Sequence, residues 1–196
     1  MAMENWLPYI PLIVLPFWAA LNLGINRYVS RRPRHHRTDI VLDVRLPFIP
    51  GFALPYFSAY VLGLLGYVLM ITHPDLGKVL WGYLFLVGIG SQCYVVFPST
   101  AVRREDLAVV GFSTYMLVRF QRLSGPYNVF PSMHFGYCLF SALVGWYYHG
   151  HLIGGGLTLW AVLIGVSTLL TKQHYILDLV GGLVVGVLAF VLVVRL

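Results

Sequence analysis

Two histidines and one aspartate have the types and spacing to carry out chemistry. Asp178 follows His174 by four residues in the segment STLLTKQHYILD. Positions four apart lie on one face of a helix, so we expect the Asp178 carboxylate to accept a hydrogen bond from the His174 ring. That bond would fix the ring tautomer and stabilise an imidazolium. His134 begins another apolar segment, and the two histidines together predict a nucleophile and an acid.

The residues around His134 predict a phosphate site. Pro131, in the motif PSMH, suits the first turn of a helix, where its missing N–H is not needed. The backbone N–H groups of Ser132, Met133 and His134 would then face the loop, and a helix start of this kind favours anions. Arginines in the preceding loop would complete an electropositive pocket. They are Arg103, Arg104, Arg119 and Arg122.

The composition places the chain in a membrane. Of its 196 residues, 59% are hydrophobic and only 10% are charged, whereas a soluble domain carries about 25% charged residues. Several apolar runs reach the roughly 20 residues that cross a bilayer. We therefore predict a multi-pass integral membrane protein in which residues 1–196 form a single all-α transmembrane domain.

Six transmembrane helices fit the apolar pattern best. The expected spans are Trp6–Leu23, Phe52–Ile71, Val79–Phe97, Pro131–Tyr148, Leu152–Leu170 and Ile176–Val194. The turns at His73–Lys78 and His149–His151 are short, which predicts antiparallel neighbours. Between the third and fourth spans, the apolar stretch Leu107–Val118 is too short to span comfortably and predicts an interfacial helix. Gly182 and Gly186 form a GxxxG pair suited to close helix packing.

The distribution of positive charge predicts the orientation. With six spans, both long loops and His174 lie on one side of the membrane, and all thirteen Lys and Arg residues except Lys78 and Arg195 collect there. By the positive-inside rule this side is cytoplasmic. We therefore expect a protein of a bacterial or archaeal plasma membrane whose active site faces the cytoplasm.

Several other classes of function have no support in the sequence. The basic residues form no groove interleaved with aromatic residues, so no nucleic-acid partner is expected. Cys93 and Cys138 lie inside apolar segments and are expected to be buried thiols, not a disulfide or a metal pair. No organic cofactor is predicted. Membrane lipids are the expected partners, and the sequence is compatible with a homo-oligomer.

The paired histidine motifs resemble those of a known family. PSMH followed by a distal HxxxD is similar to the second and third signature motifs of the type 2 phosphatidic acid phosphatase family. The wording YNVFPSMH…STLLTKQHYILDLVGG most resembles the branch that includes inositol phosphorylceramide synthase-like proteins. The resemblance runs from about Pro47 to Gly186 and is dense only over the two motifs.

The resemblance implies a six-helix bundle that cleaves phosphate esters of lipids, such as a phospholipid or a polyprenyl phosphate, without a metal. By this resemblance His174 would be the nucleophile that forms a phosphohistidine, Asp178 would orient it, and His134 would protonate the leaving oxygen. The residues expected to bind the phosphate are Arg104, Arg103, Lys172, Ser132 and Met133.

The chain departs from the family pattern at two places. The first family motif is a lysine, six residues and then Arg-Pro, whereas the counterpart here, Ser99–Glu105, has Arg104 before Glu105 and no lysine at the expected place. The third motif has an arginine six residues before the histidine, where this chain has Thr168. Two phosphate-binding cations are therefore missing. The candidates to replace them are Lys172, Arg103 and Arg122.

The sequence leaves three alternatives open. Transfer of the phosphoryl group to an alcohol such as inositol would use the same residues as hydrolysis, because only the second acceptor differs. A metal site built from His134, His174 and Asp178 would have acceptable ligand types. A non-catalytic lipid-binding membrane protein would tolerate the missing cations.

Overall fold

The computed structural model describes residues 10–104 and 107–195, and helices dominate it. Short extended contacts join the loops, but they are isolated bridges. The helices are α1 (Ile10–Ser30), α2 (Val41–Arg45), α3 (Ala53–Phe57), α4 (Ala59–Val68), α5 (Leu76–Val96), α6 (Phe112–Leu123), α7 (Met133–Leu170) and α8 (Ile176–Ala189). A 3-10 turn, Pro50–Phe52, leads into α3, and a π-helical segment, Phe190–Arg195, continues α8.

Four helical segments in the described part of the chain are long and apolar enough to cross a membrane. They are Pro50–Val68, Leu76–Val96, Met133–Leu170 and Ile176–Arg195. The predicted second, third and sixth spans therefore coincide with helical segments to within a few residues. The predicted first span overlaps α1, although residues 1–9 lie outside the described part. The all-helical membrane architecture is confirmed, and the count of six spans stays a prediction.

The predicted fourth and fifth spans both lie within α7, and the helical backbone of α7 is interrupted at Gly150. Gly150 has φ +79°, ψ −170°, a backbone conformation that residues with a side chain rarely adopt. The two arms fold back on each other, and the Trp146 Nε1–H donates to Thr158 Oγ1 across the turn at 2.9 Å. The turn predicted at His149–His151 is therefore present.

Helix α8 packs closely against the first arm of α7 through the GxxxG pair. A Cβ on Gly182 would collide with the carbonyl oxygen of Ser132, and one on Gly186 would lie 2.8 Å from the carbonyl oxygen of Gly136. Both obstacles are backbone atoms, which cannot turn aside as a flexible side chain can. This close approach sets the distance between the two segments that carry the predicted histidine motifs.

One end of the bundle gathers the two long loops. The Ile49 N–H donates to the Leu170 carbonyl at 2.9 Å, and the His36 N–H donates to the Pro98 carbonyl at 2.7 Å. At the opposite end, His73 lies against the ring of Tyr148, with ring centroids 4.6 Å apart. The long loops thus cover the end of the bundle at which α7 and α8 begin.

The helix predicted between the third and fourth spans is displaced along the chain. It was expected at Leu107–Val118 but is formed by Phe112–Leu123, while Leu107–Val110 has no helical structure. One face of α6 packs against α3, where Phe120 contacts Phe57 with ring centroids 5.4 Å apart. Phe120, which lies beyond the predicted stretch, continues the apolar face of Leu117 at helical spacing and accounts for the shift.

The Gly182 contact yields a stability prediction. Replacing Gly182 by Ala should lower the free energy of unfolding by about 1–3 kcal/mol, because the added methyl group collides with the Ser132 carbonyl. Gly88→Ala is the matched control, since its Cβ would meet nothing within 4 Å. Denaturation in detergent checks both, and equal stability of the two variants would contradict the tight α7–α8 contact.

Candidate active site

His174 lies in the turn between α7 and α8 and is 6% exposed. Its Nδ1 lies 2.9 Å from the backbone carbonyl oxygen of Val129 and 3.7 Å from Asp178 Oδ2. The hydrogen bond expected from the ring to Asp178 is therefore made to Val129 instead, and Asp178 remains at ion-pair distance. The helical-face argument fails locally because α8 begins only at Ile176, so His174 precedes the helix.

The contact with Val129 determines the tautomer of His174. A carbonyl oxygen can only accept a hydrogen bond, so Nδ1 must carry the proton. The neutral ring then has its lone pair on Nε2. The nearby Asp178 carboxylate stabilises positive charge that develops on the ring when Nε2 reacts. This arrangement is suited to nucleophilic attack through Nε2.

Asp178 is fully buried in the first turn of α8. Its Oδ2 accepts the Tyr175 N–H at 2.7 Å, and its Oδ1 accepts the Thr38 hydroxyl at 2.6 Å. Its position at the helix N-terminus also favours the negative charge. The carboxylate therefore holds the turn that contains His174, besides facing its ring.

His134 lies in the first turn of α7 and faces His174, with ring centroids 5.8 Å apart. Its ring packs on Tyr56 at a centroid distance of 4.8 Å, and its Nε2 lies 3.5 Å from the Tyr60 hydroxyl. The latter distance is too long for a good hydrogen bond. The structure thus brings the two predicted histidines together, and within residues 10–104 and 107–195 the His134 ring has no short hydrogen bond.

The start of α7 departs from the prediction at one residue. The Ser132 N–H is not free, because it donates to the Asp178 backbone carbonyl at 2.9 Å. The Ser132 Oγ is buried and has no hydrogen-bond partner among the described residues. Met133 and His134 precede the first backward bond of the helix, Gly136 N–H to Ser132 carbonyl, and both residues line the cavity described below.

A cavity of about 220 Å³ lies beside the two histidines. Helix α1 contributes Trp18 and Asn22 to its wall, α3 and α4 contribute tyrosines, and α6 contributes Phe120. The predominantly aromatic and apolar wall suits a lipid substrate.

Only one of the predicted phosphate-binding cations lines this cavity. Arg103 does, and its Nη1–H donates to the Ser124 carbonyl at 2.6 Å, while its buried Nε–H has no partner in the described chain. Arg104 was expected to bind phosphate, but it is exposed and lies over the Phe48 ring. Adjacent residues of the extended loop point to opposite sides, so the two arginines separate. Glu105, at the end of this motif, lies outside the described residues.

Burial affects the electrostatics of Arg103. Loss of hydration lowers the pKa of its guanidinium, although an arginine remains protonated in proteins. A partly buried cation with an unpaired donor gains from an anionic ligand. Arg103 is therefore the basic residue best placed to receive a phosphate.

Lys172, also expected to bind phosphate, has a structural contact instead. Its Nζ donates to the backbone carbonyls of Asp43 and Leu46, at 2.9 Å and 2.7 Å. Burial is the main cause that lowers the pKa of its ammonium group. The Thr168 hydroxyl, at the position of the missing arginine, donates to the Gly165 carbonyl within α7. Neither residue lines the cavity, and neither does the exposed Arg122.

A family model described as the PAP2 superfamily matches residues 51–192. The match covers well over half of the chain, which therefore belongs to the PAP2 superfamily. The resemblance drawn from the two histidine motifs is confirmed at this level, while the narrower branch stays a prediction. Family and fold together indicate a membrane lipid phosphatase, an enzyme that hydrolyses phosphoric esters.

The fold has a counterpart among solved structures. The crystal structure of LpxE from Aquifex aeolicus matches with a TM-score of 0.55 and 21% sequence identity, over 90% of this chain and 96% of that chain. At this identity the likeness is evidence for the fold. No curated protein matches the chain.

Sequence reasoning missed several residues of the site. Thr38 and the Val129 carbonyl bind Asp178 and His174, respectively, from distant loops. Asn128 and Gln173 line the cavity. Gln173 and Asn128 lie within the segments that carry the motifs, so proximity could have indicated them, whereas no pattern in the sequence points to Thr38.

The Thr38 contact predicts a structural effect on the site. Thr38→Val removes a donor from a buried carboxylate and should lower the free energy of unfolding by about 1–3 kcal/mol. Phosphatase activity should fall as well, because the turn that carries His174 loosens. The exposed Thr72→Val, at the far end of the bundle, is the control. Unchanged stability and activity of Thr38→Val would contradict this role.

The separation of the two arginines predicts different phosphate affinities. Arg103→Gln should weaken inhibition by a phosphate analogue such as vanadate roughly tenfold or more, because a charged hydrogen bond is lost. Arg104→Gln should leave the inhibition constant unchanged. Inhibition assays on variants with matched thermal midpoints check this, and the opposite ranking would restore Arg104 as the phosphate ligand.

Proposed function

We propose that this protein is a lipid phosphate phosphatase that acts through a phosphohistidine on His174 and needs no metal. The observation that carries the proposal is the Nδ1 contact with Val129, which leaves a lone pair on Nε2 beside the cavity and His134. A nucleophile held in one tautomer beside a second histidine supports covalent catalysis with proton transfer.

The first step transfers the phosphoryl group to the enzyme. The Nε2 lone pair of His174 attacks phosphorus, the P–N bond forms, and the bond from phosphorus to the lipid oxygen breaks. The leaving oxygen takes a proton from the His134 imidazolium. The negative charge of the entering phosphate favours that protonated form of His134.

The second step returns the enzyme to its starting state. A water molecule attacks phosphorus on the opposite face, and neutral His134 accepts its proton. The P–N bond then breaks, its electron pair returns to Nε2, and inorganic phosphate leaves. His134 therefore serves as acid in the first step and base in the second.

The phosphoryl oxygens would be held by fixed donors during both steps. Arg103 supplies an unpaired Nε–H, and the backbone N–H groups of Met133 and His134 lie at the start of α7. Helix starts and guanidinium groups stabilise charge that develops on phosphoryl oxygens. This set replaces the cations that the family motifs carry and this chain lacks.

The hydrogen bonds at the site support a mechanism without a metal. The His174 Nδ1 is occupied by Val129, and both Asp178 oxygens accept hydrogen bonds. Among residues 10–104 and 107–195, no cluster of three or more His, Cys, Asp or Glu side chains is arranged to hold a metal ion. Within these residues the His174 Nε2 and the His134 ring keep free nitrogens, and we assign these to nucleophilic attack and proton transfer.

The membrane topology that we propose has six crossings. The break at Gly150 divides α7 into two arms, and α1 adds a further apolar helix to the remaining three spans. We place the end with the long loops in the cytoplasm because most basic residues lie there. In this arrangement α6 lies at the interface.

Transfer to an alcohol is a second candidate function, related to the inositol phosphorylceramide synthase-like branch. Departure of the lipid alcohol would free part of the cavity of about 220 Å³, which leaves room for a small alcohol as well as for water. A small alcohol could therefore replace water in the second step. The first step and all residues assigned to it would be unchanged.

The test measures phosphate release by the purified protein in detergent with EDTA present. Substrates are phosphatidic acid, phosphatidylglycerol phosphate and a polyprenyl diphosphate. Wild type should release phosphate, whereas His174→Ala should lose at least roughly a thousandfold in kcat, as expected when a nucleophile is removed. The exposed His151→Ala, at the other end of the bundle, is the matched control.

The covalent intermediate provides a sharper measurement. Rapid quenching should trap an acid-labile phosphoryl group on Nε2 of His174, because Nδ1 carries the proton bonded to Val129. Phosphate release by His174→Ala at the wild-type rate would sink the mechanism. Loss of activity in EDTA with recovery on adding a divalent metal would overturn metal independence.

A further inference from the structure

Two neutral amide side chains line the cavity beside His174 and are not used by the proposed mechanism. Gln173 is 1% exposed and Asn128 is 8% exposed. Each side chain has one oxygen, Gln173 Oε1 and Asn128 Oδ1, that is buried and has no hydrogen-bond partner in the part of the chain that the structure describes. Buried polar groups of this kind are rare and call for an explanation.

The hydrogen bonds made by the two amide NH2 groups determine that the oxygens are the unpaired atoms. The Gln173 Nε2–H donates to the Thr171 carbonyl at 3.1 Å, and the Asn128 Nδ2–H donates to the Asn22 carbonyl at 3.3 Å. Rotating either amide would place two oxygens against each other. The nitrogen ends are therefore fixed, and each of these cavity-lining residues keeps a buried oxygen that can only accept hydrogen bonds.

The unpaired acceptors do not suit an ionised phosphate oxygen. A phosphoryl oxygen accepts hydrogen bonds and carries negative charge, so it would be repelled by an amide oxygen. Their partner must donate, which leaves a hydroxyl, an amine or water. The cation Arg103 and the absence of any Asp or Glu among the described cavity residues disfavour a charged amine.

The two amides lie next to the reacting histidine along the chain. Asn128 directly precedes Val129, whose carbonyl holds the His174 ring, and Gln173 directly precedes His174. Both residues also line the same cavity as His174, so a ligand in that cavity that donates to these oxygens would lie beside the histidine. In this arrangement the donor groups would bind the phosphate, and the two amide oxygens would bind the hydroxyl groups of the alcohol next to it.

We propose that Gln173 and Asn128 form a hydroxyl-recognition site for a polyhydroxylated alcohol. The alcohol is either the part of the substrate esterified to the phosphate or a free alcohol that accepts the phosphoryl group. Both share the same chemistry at this site, O–H groups donating to the two amide oxygens. The assignment to a reacting group rests on the proposed phosphatase function.

Binding of two matched phosphate esters tests the site without turnover. Glycerol 1-phosphate and propyl phosphate differ only in two hydroxyl groups. In the His174→Ala background, glycerol 1-phosphate should bind roughly tenfold or more tightly, because two hydrogen bonds are added. Gln173→Met should bring the ratio of the two Kd values near one and leave propyl phosphate binding unchanged. Gln121→Met, outside the cavity, should keep the wild-type ratio.

Two activity measurements distinguish the sources of the hydroxyl. If the hydroxyl belongs to the substrate, kcat/KM for phosphatidylglycerol phosphate relative to phosphatidic acid should fall in Gln173→Met. If it belongs to a free acceptor, wild type given labelled phosphatidic acid and glycerol should form labelled glycerol phosphate, and Gln173→Met should form labelled inorganic phosphate only.

Three results would overturn the assignment. Equal Kd values for the two esters in the parent protein would mean that the oxygens bind only ordered water. If glycerol 1-phosphate binds more tightly but Gln173→Met alters neither activity measurement, the site does not take part in the reaction. Binding of neither ester would remove the phosphate pocket and the hydroxyl site together. Phosphate release from lipids by wild type alongside equal Kd values would leave the phosphatase function standing and reject the hydroxyl site alone.

Discussion

The buried carboxylate of Asp178 is the constraint on which the site depends. A carboxylate without exposure must be surrounded by donors, because an unpaired buried charge is strongly destabilising. Thr38 donates from the first long loop and the Tyr175 N–H donates from the turn before α8. The Asp178 backbone carbonyl also accepts the Ser132 N–H at the start of α7. One residue thus joins a loop, a turn and two helices around the histidines.

The cavity divides its polar groups by hydrogen-bond role. Arg103 and the start of α7 supply donors, which suit phosphoryl oxygens. The amide oxygens of Asn128 and Gln173 supply acceptors, which suit hydroxyl groups. The His174 ring has both roles, since its Nδ1–H donates to the Val129 carbonyl and its Nε2 retains a lone pair. A phosphate ester of an alcohol presents both complements in one molecule.

The departures from the family motifs have a consistent physical reading. Thr168 replaces an arginine, and its hydroxyl bonds within its own helix. Lys172 binds the carbonyls at the end of α2 and so secures the first long loop against the turn of His174. Both residues therefore bind backbone carbonyls, and among the predicted phosphate-binding cations Arg103 alone lines the cavity, where it is partly buried.

The sequence determined the helical segments and the pairing of the two histidine motifs, because long apolar runs and motif order are local properties of the chain. It also indicated the close packing at Gly182. Only the tertiary structure decided which donor holds the His174 ring, which of Arg103 and Arg104 enters the cavity, and that Lys172 does not. Those outcomes depend on contacts between loops far apart in sequence and on the direction of single side chains, which no local pattern encodes.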